Sequence, residues 1–333
     1  MSAPAMVWAG RHVLITGATG FLGGALARRL LAEGASIRVT ARTPEKAAAL
    51  QMLGAQVIQA DLTDDSTLSD AAAGCSTVFH VAVSYGSYDE QRRVNVEGTR
   101  AIAQAAAHIQ VERFVHVSSI SVYGVSRRGT ITEDHPLMAS AQPYGGTKIE
   151  GERIVREIGS AAGMPYTIIR PGMIYGPNAD LWTNGVFSLA RRQPTVWLDD
   201  GGGSAHMIHV DDVVDLMLTA AQHPNAVGQA FNGSPDPAPT WREVFGHYAR
   251  LSGHDWRAFA FKPLTMAAAA LIALVSPPIS FGRDLPELAD MMCSTVTFSG
   301  QKARERLGWS PRVALADGIA ACADSLRARG LLA

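Results

Sequence analysis

A run of glycines set between a strand and a helix constrains this chain more than any other feature. It reads Thr16-Gly17-Ala18-Thr19-Gly20-Phe21-Leu22-Gly23. The apolar His12-Val13-Leu14-Ile15 precedes it, and a helical pattern through Leu31 follows. Strand before and helix after is the context that a phosphate-binding turn requires. Gly17 permits the tight turn, Gly20 lets the backbone approach a pyrophosphate, and Gly23 allows close helix packing. The helix N-terminus then faces the negative phosphates. The spacing is G-x-x-G-x-x-G rather than G-x-G-x-x-G, so the flanking elements carry as much of the reading as the glycines do.

The pattern repeats downstream. Apolar runs at 36–40, 55–59, 77–81, 113–117 and 166–170 read as further strands. Helical stretches separate them, one rich in Ala47, Ala48, Ala49 and Leu50 and another over 95–108. Strands this apolar, spaced by helices, imply a parallel sheet covered on both faces. The expected fold is α/β, a Rossmann-type doubly wound sheet with a smaller C-terminal substrate-binding region. Residues 1–10 read as an N-terminal tail, 11–175 as the dinucleotide-binding domain and 176–333 as mostly the substrate region. A return to the first domain is expected near 206–222, with a strand at 206–210. Gly201-Gly202-Gly203 and Pro235-Asp236-Pro237-Ala238-Pro239 break up the later elements.

Chemistry enters with Pro143-Tyr144-Gly145-Gly146-Thr147-Lys148. A phenol with a pKa of ~10 is a poor acid–base catalyst at neutral pH. Residues at i and i+4 share one helix face. A lysine held beside Tyr144 would favour the phenolate. Close to a bound dinucleotide, the pair is suited to moving a proton alongside a hydride.

The second strand of such a fold normally ends in an acid that binds the ribose hydroxyls of NAD. Here Arg42 holds that region and no carboxylate precedes it in the strand. A guanidinium there suits a 2′-phosphate. NADP(H) is therefore favoured, with NAD(H) the alternative if Arg42 is a solvated loop residue.

Of the 333 residues, 47% are hydrophobic and 18% are charged, as in a globular enzyme with a substantial core. The net charge is −1 and no basic block is present, which gives no reason to propose nucleic acid as a partner. Cys75, Cys293 and Cys322 are few and widely spaced, so they read as reduced thiols of a cytoplasmic protein rather than a disulfide frame or a metal site. The first ten residues lack the basic and apolar regions of a signal peptide. The run at 264–275, LTMAAAALIALV, falls short of the roughly 20 residues a bilayer span needs. It reads as plain core or as a lid over a lipophilic substrate.

Taken in order, TGATGFLG (16–23), ADL (60–62), HVA (80–82), NVEGT (95–99), VSSISVYG (117–124), YGGTK (144–148), RPGMIYGP (170–177) and HVDD (209–212) resemble the motifs of the extended short-chain dehydrogenase/reductases. That group holds nucleotide-sugar epimerases, dehydratases and 3β-hydroxysteroid dehydrogenase-like proteins. The resemblance spans nearly the whole chain. It implies that Ser119, Tyr144 and Lys148 are catalytic, with Ser119 bonding the reacting oxygen. It implies that Gly17, Thr19, Gly20, Phe21, Leu22 and Gly23 hold the dinucleotide, with Asp61 and Leu62 at the adenine. His80, Ala82 and Asn95 would line it, Lys148 would also hold the nicotinamide ribose, and Pro171, Gly172 and Met173 would run along the nicotinamide. It also raises a homodimer through helices beside the Tyr144 helix. Ser118 and Ser119 as strand-end caps, and His80 as a satisfied core histidine, are the plainer readings.

Departures from subfamily patterns narrow the reaction. Dehydratases of this group carry Thr-Asp-Glu before Val-Tyr-Gly, whereas this chain has Ser119-Ile120-Ser121. Many epimerases place an arginine shortly before His-Val-Asp-Asp to hold a diphosphate. Here 203–209 contain none. Tyr85, Tyr88, Met173, Trp182 and Met207 are expected to face a small-molecule substrate that is bulky and weakly charged. Several of them could equally be ordinary core. The first expectation is thus an NADP(H)-dependent oxidoreductase interconverting a secondary alcohol and a carbonyl on an apolar small molecule. The second is a sugar or nucleotide-sugar epimerase with tightly bound NAD. A non-catalytic NADP-sensing protein ranks last, because the Tyr144–Lys148 pair is kept.

Overall fold

The computed structural model describes residues 8–124, 128–139, 142–192, 195–196, 200–256, 258–259, 290 and 292–333. The run at 264–275 lies outside them. Seven parallel strands form the central sheet. The first five in the chain are β1 (His12–Thr16), β2 (Ser36–Ala41), β3 (Gln56–Gln59), β4 (Thr77–His80) and β5 (Arg113–Val117). Across the sheet the order is Gln229–Gly233, Tyr166–Pro171, β5, β4, β1, β2, β3.

Both faces of this sheet are covered, which is why its strands are apolar throughout. Val13, Ile15, Val39, Phe79, Val115, Ile169 and Phe231 point to one face, where Leu22, Leu26 and Leu30 of the helix Phe21–Ala32 meet Val213, Leu216 and Met217 of the helix Val210–Gln222. Leu14, Val78, Phe114, Ile168 and Ala230 point to the other, against Leu68, Ile102, Ala106 and Val155. The period-two alternation thus serves two cores rather than a core and a solvent face. Each of the larger apolar side chains among them contributes about 1.5–3 kcal/mol by leaving water.

Three expectations are corrected. Trp8, inside the supposed tail, is buried against Phe79 with ring centroids 5.9 Å apart. The strand at 206–210 does not join the main sheet. Met207–His209 pairs with Met173–Tyr175 in a separate parallel ladder, and Gln229–Gly233 is the strand that joins, beside Tyr166–Pro171. The helix at 95–108 is really Gly98–His108, led in by the turn Tyr88–Gln91 and a wider π-helical turn at Arg92–Glu97.

Strand order reverses between β1 and β4, and ligands of such sheets sit at the carboxyl ends of the strands flanking that switch. The glycine turn leaves β1 and Val81-Ala82 leaves β4, so the predicted site falls in this crevice.

Candidate active site

The turn is built for close backbone approach. Gly17 adopts φ +76°, and a Cβ there would lie 2.6 Å from the Ala82 backbone. A Cβ on Gly23 would run into the Gly17 carbonyl. Gly20 begins the helix Phe21–Ala32 without a side-chain cap. A Cβ-free cradle in front of an uncapped helix N-terminus fits a pyrophosphate. Thr19 is exposed at the turn, Phe21 packs toward Gly176, and the Leu22 side chain belongs to the core, leaving only its backbone for a ligand.

Arg42 directly follows β2 and is exposed. It makes no hydrogen bond or ion pair among the described residues. Asp61 accepts from both the backbone N–H (3.0 Å) and the hydroxyl (2.9 Å) of Thr63, while Leu62 is buried against Gly98.

Two residues expected to line the dinucleotide are committed elsewhere. His80 sits between Thr16 Oγ1 (2.8 Å at Nδ1) and Thr99 Oγ1 (2.9 Å at Nε2), and burial pushes it down to about 3. Its neutral ring stacks on His116, 5.4 Å between centroids. Asn95 is 1% exposed, and its amide bonds Ser84 and Thr147. Both position the strands and loops around the site.

Tyr144 and Lys148 lie one turn apart on the helix Pro143–Ala162. The Lys148 ammonium donates to the Val117 carbonyl at 2.8 Å, at the end of β5. Burial lowers it to about 8, against the opposing pull of Glu152. The Tyr144 ring packs against that of Tyr85, centroids 4.9 Å apart. Its phenol stands above its ordinary value, not below: burial raises it most, Tyr85 adds to this, and Ser119 only partly offsets both. The lysine expected to depress the phenol is anchored on Val117 instead. A phenol in this setting is protonated at neutral pH. Ser119 also opens the short turn Ile120–Tyr123, its hydroxyl accepting from the Ser121 N–H at 3.1 Å.

Pro171 ends its strand at Gly233, Gly172 packs on the His206 carbonyl, and Met173 is buried. Tyr85 and Tyr88 are 71% and 53% exposed, as substrate-facing residues can be. Trp182 is half-buried beside Trp241, and Met207 is only 2% exposed, which makes it core. Where an epimerase would carry its arginine, this chain places buried Ala205 and His206, the latter pushed down to about 4 and therefore neutral.

Sequence reasoning missed a charged network behind the pair. Arg170 bonds Glu152 through Nε–Oε1 (2.8 Å) and Nη2–Oε2 (2.7 Å), and donates to the Tyr123 hydroxyl at 2.7 Å. Tyr123 in turn donates to Asn232 at 2.7 Å. The signal was present: an arginine ending a strand buried on both faces must find a carboxylate, and Glu152 lies one turn past Lys148.

The model of the NAD dependent epimerase/dehydratase family matches residues 13–232. The chain belongs to this family. It is an NAD(P)-dependent enzyme of the extended short-chain dehydrogenase/reductase type. It is 29% identical to the 4-hydroxy-2-methyl-3-oxo-4-farnesyl-3,4-dihydroquinoline-1-oxide ketoreductase of Stigmatella aurantiaca, over 96% of each chain. It is also 29% identical to the UDP-glucose 4-epimerase of Mycolicibacterium smegmatis, over 95% of this chain and 98% of that one. Among solved structures, MoeE5 in complex with UDP-glucuronic acid and NAD matches with a TM-score of 0.76 at 26% identity, covering 96% of this chain and 99% of that one.

Proposed function

We propose that this protein is an NADP(H)-dependent oxidoreductase that interconverts a carbonyl and a secondary alcohol on an apolar small molecule. The observation that carries the reading is the Tyr144 phenol, set one helical turn from the Lys148 ammonium that is anchored on Val117 at the end of β5. Such a group donates a proton to a carbonyl oxygen in reduction and accepts it back in oxidation. Ser119 donates a hydrogen bond to the same oxygen. Lys148, fixed on Val117, keeps a positive charge behind the phenol as the proton leaves. The bound nicotinamide supplies the hydride.

NADP preference rests on Arg42, an exposed guanidinium directly after β2 with no hydrogen bond or ion pair among the described residues. The apolar substrate rests on the lack of an arginine in the sequence at 203–209, on the exposed Tyr85 and Tyr88, and on the farnesyl-bearing substrate in the name of the Stigmatella relative. Likeness to MoeE5 and to the UDP-glucose epimerase favours a second reading, epimerisation of a nucleotide sugar.

One assay separates the two. Purified protein is given NADPH with lipophilic ketones, and separately UDP-glucose with NAD. Net loss of nicotinamide absorbance with a ketone supports the reductase. Sugar epimerisation without net cofactor turnover, and no ketone accepted, would replace it.

A further inference from the structure

Tyr85 leaves 71% of its surface in water, yet its loop is fastened on both sides. Before it, Asn95 Oδ1 accepts from the Ser84 N–H at 2.8 Å, and Asn95 Nδ2 donates to the Ser84 carbonyl at 3.0 Å. After it, the Gln91 amide donates to the Gly86 carbonyl at 2.9 Å. The Gly86 N–H donates to Ser84 Oγ at 3.1 Å, closing a bridge across Tyr85 itself. Asn95 and Gln91 are both buried. Two buried amides thus hold the backbone of an exposed aromatic residue. Ordering a loop costs conformational entropy. Here the ordering is complete before a ligand arrives, which is how a binding surface is preorganised.

Part of the Tyr85 ring rests on the half-buried Tyr144, with centroids 4.9 Å apart and planes tilted by 34°. The two share a support: Asn95 Nδ2 also donates to Thr147 Oγ1 at 3.2 Å, and Thr147 donates to the Tyr144 carbonyl at 2.9 Å. Met138, 63% exposed, brings apolar surface from another loop to the same helix turn. Its neighbour Ala139 lies 3.7 Å from where a Cβ on Gly146 would stand.

We propose that Tyr85 is an aromatic plate that selects substrates whose reacting carbonyl is attached to a flat, unsaturated ring. This deepens the proposed function and rests on it for the position of the carbonyl at Tyr144. A carbonyl held there brings the group beside it over the free part of the Tyr85 ring. A planar ring lies along that face and gains an aromatic contact beyond simple burial. A saturated ring is puckered and makes no such contact.

The test compares acetylnaphthalene with its saturated counterpart acetyldecalin, which has the same carbon skeleton. Equilibrium dialysis measures binding of each to protein saturated with NADP⁺, and NADPH oxidation is followed separately. Wild type should bind the flat ketone roughly tenfold more tightly. Tyr85→Phe keeps the ring and should keep that preference, whereas Tyr85→Leu keeps apolar bulk and should lose it. The same preference in wild type and Tyr85→Leu, its loss in Tyr85→Phe, or no binding of the flat ketone would overturn the plate. Selective binding that depends on the Tyr85 ring, without NADPH oxidation, would support the plate and count against the reductase. Turnover of both ketones in a ratio unmoved by Tyr85→Leu would support the reductase and overturn the plate.

Discussion

Glu152 and Arg170 form a two-pronged ion pair at 2.8 and 2.7 Å, with both side chains at 2% exposure or less. Glu152 lies one helical turn beyond Lys148 and supports its charge. Removing one partner of a buried pair leaves the other charge uncompensated, at a cost of about 3–5 kcal/mol. Glu152→Gln should lower the unfolding free energy by that amount, read as a fall in the denaturant midpoint at unchanged m. Replacing both residues together with apolar ones of similar volume should cost much less. A Glu152→Gln protein as stable as wild type would show that the pair does not hold this helix to the sheet.

Gly17 and Gly74 separate steric clash from backbone strain. Both have positive φ, +76° and +72°. A Cβ on Gly74 meets open space, whereas one on Gly17 meets the Ala82 backbone at 2.6 Å. Gly74→Ala should cost about 1 kcal/mol and leave cofactor binding intact. Gly17→Ala should cost more and weaken dinucleotide binding sharply, as fluorescence titration with NADPH would read. Equal effects from the two substitutions would mean that the turn is not a cofactor cradle.

Stability should fall on mild acidification. Burial pushes His80 down to about 3 and His206 down to about 4, whereas the unfolded chain titrates near ~6.5. Above that pH both states are neutral and the histidines contribute no pH dependence. As pH drops below it, the unfolded state takes up protons that the folded state refuses. Each histidine then costs up to ~1.4 kcal/mol per pH unit until its folded pKa is reached. Urea unfolding at neutral and mildly acidic pH should show this slope, and His206→Gln should reduce it by one proton. A flat profile would contradict neutral burial.

Arg42→Ala should raise KM for NADPH roughly 10- to 100-fold, the value of a charge-assisted contact to phosphate, and leave KM for NADH unchanged. Equal KM values for the two cofactors in the unaltered enzyme, unmoved by the substitution, would sink the NADP preference.

The fold was legible because both signals that carry it are local. Six strands and the turn between β1 and the helix Phe21–Ala32 follow from apolar runs and glycine spacing. The seventh strand was not legible: Gln229–Gly233 holds Gln229, Asn232 and Gly233 and lacks an apolar run. Within the site, spacing placed Tyr144 and Lys148 on one face but could not show which partner each would take. Val117 and Tyr85 are distant in sequence from Lys148 and Tyr144 respectively, so neither contact has a local signature. Asn95 and His80 lay within recognisable motifs, yet their polar atoms bind Ser84, Thr147, Thr16 and Thr99. Only tertiary structure separates a residue that touches a ligand from one that braces the residue that does.

Tyr144 as proton donor is the claim on which the rest depends. The direct test is kcat for NADPH-dependent reduction of an accepted ketone by Tyr144→Phe, with NADPH affinity measured in parallel. A fall of roughly 10²- to 10⁴-fold in kcat with unchanged NADPH affinity is the expected result. Full activity in the variant would contradict it.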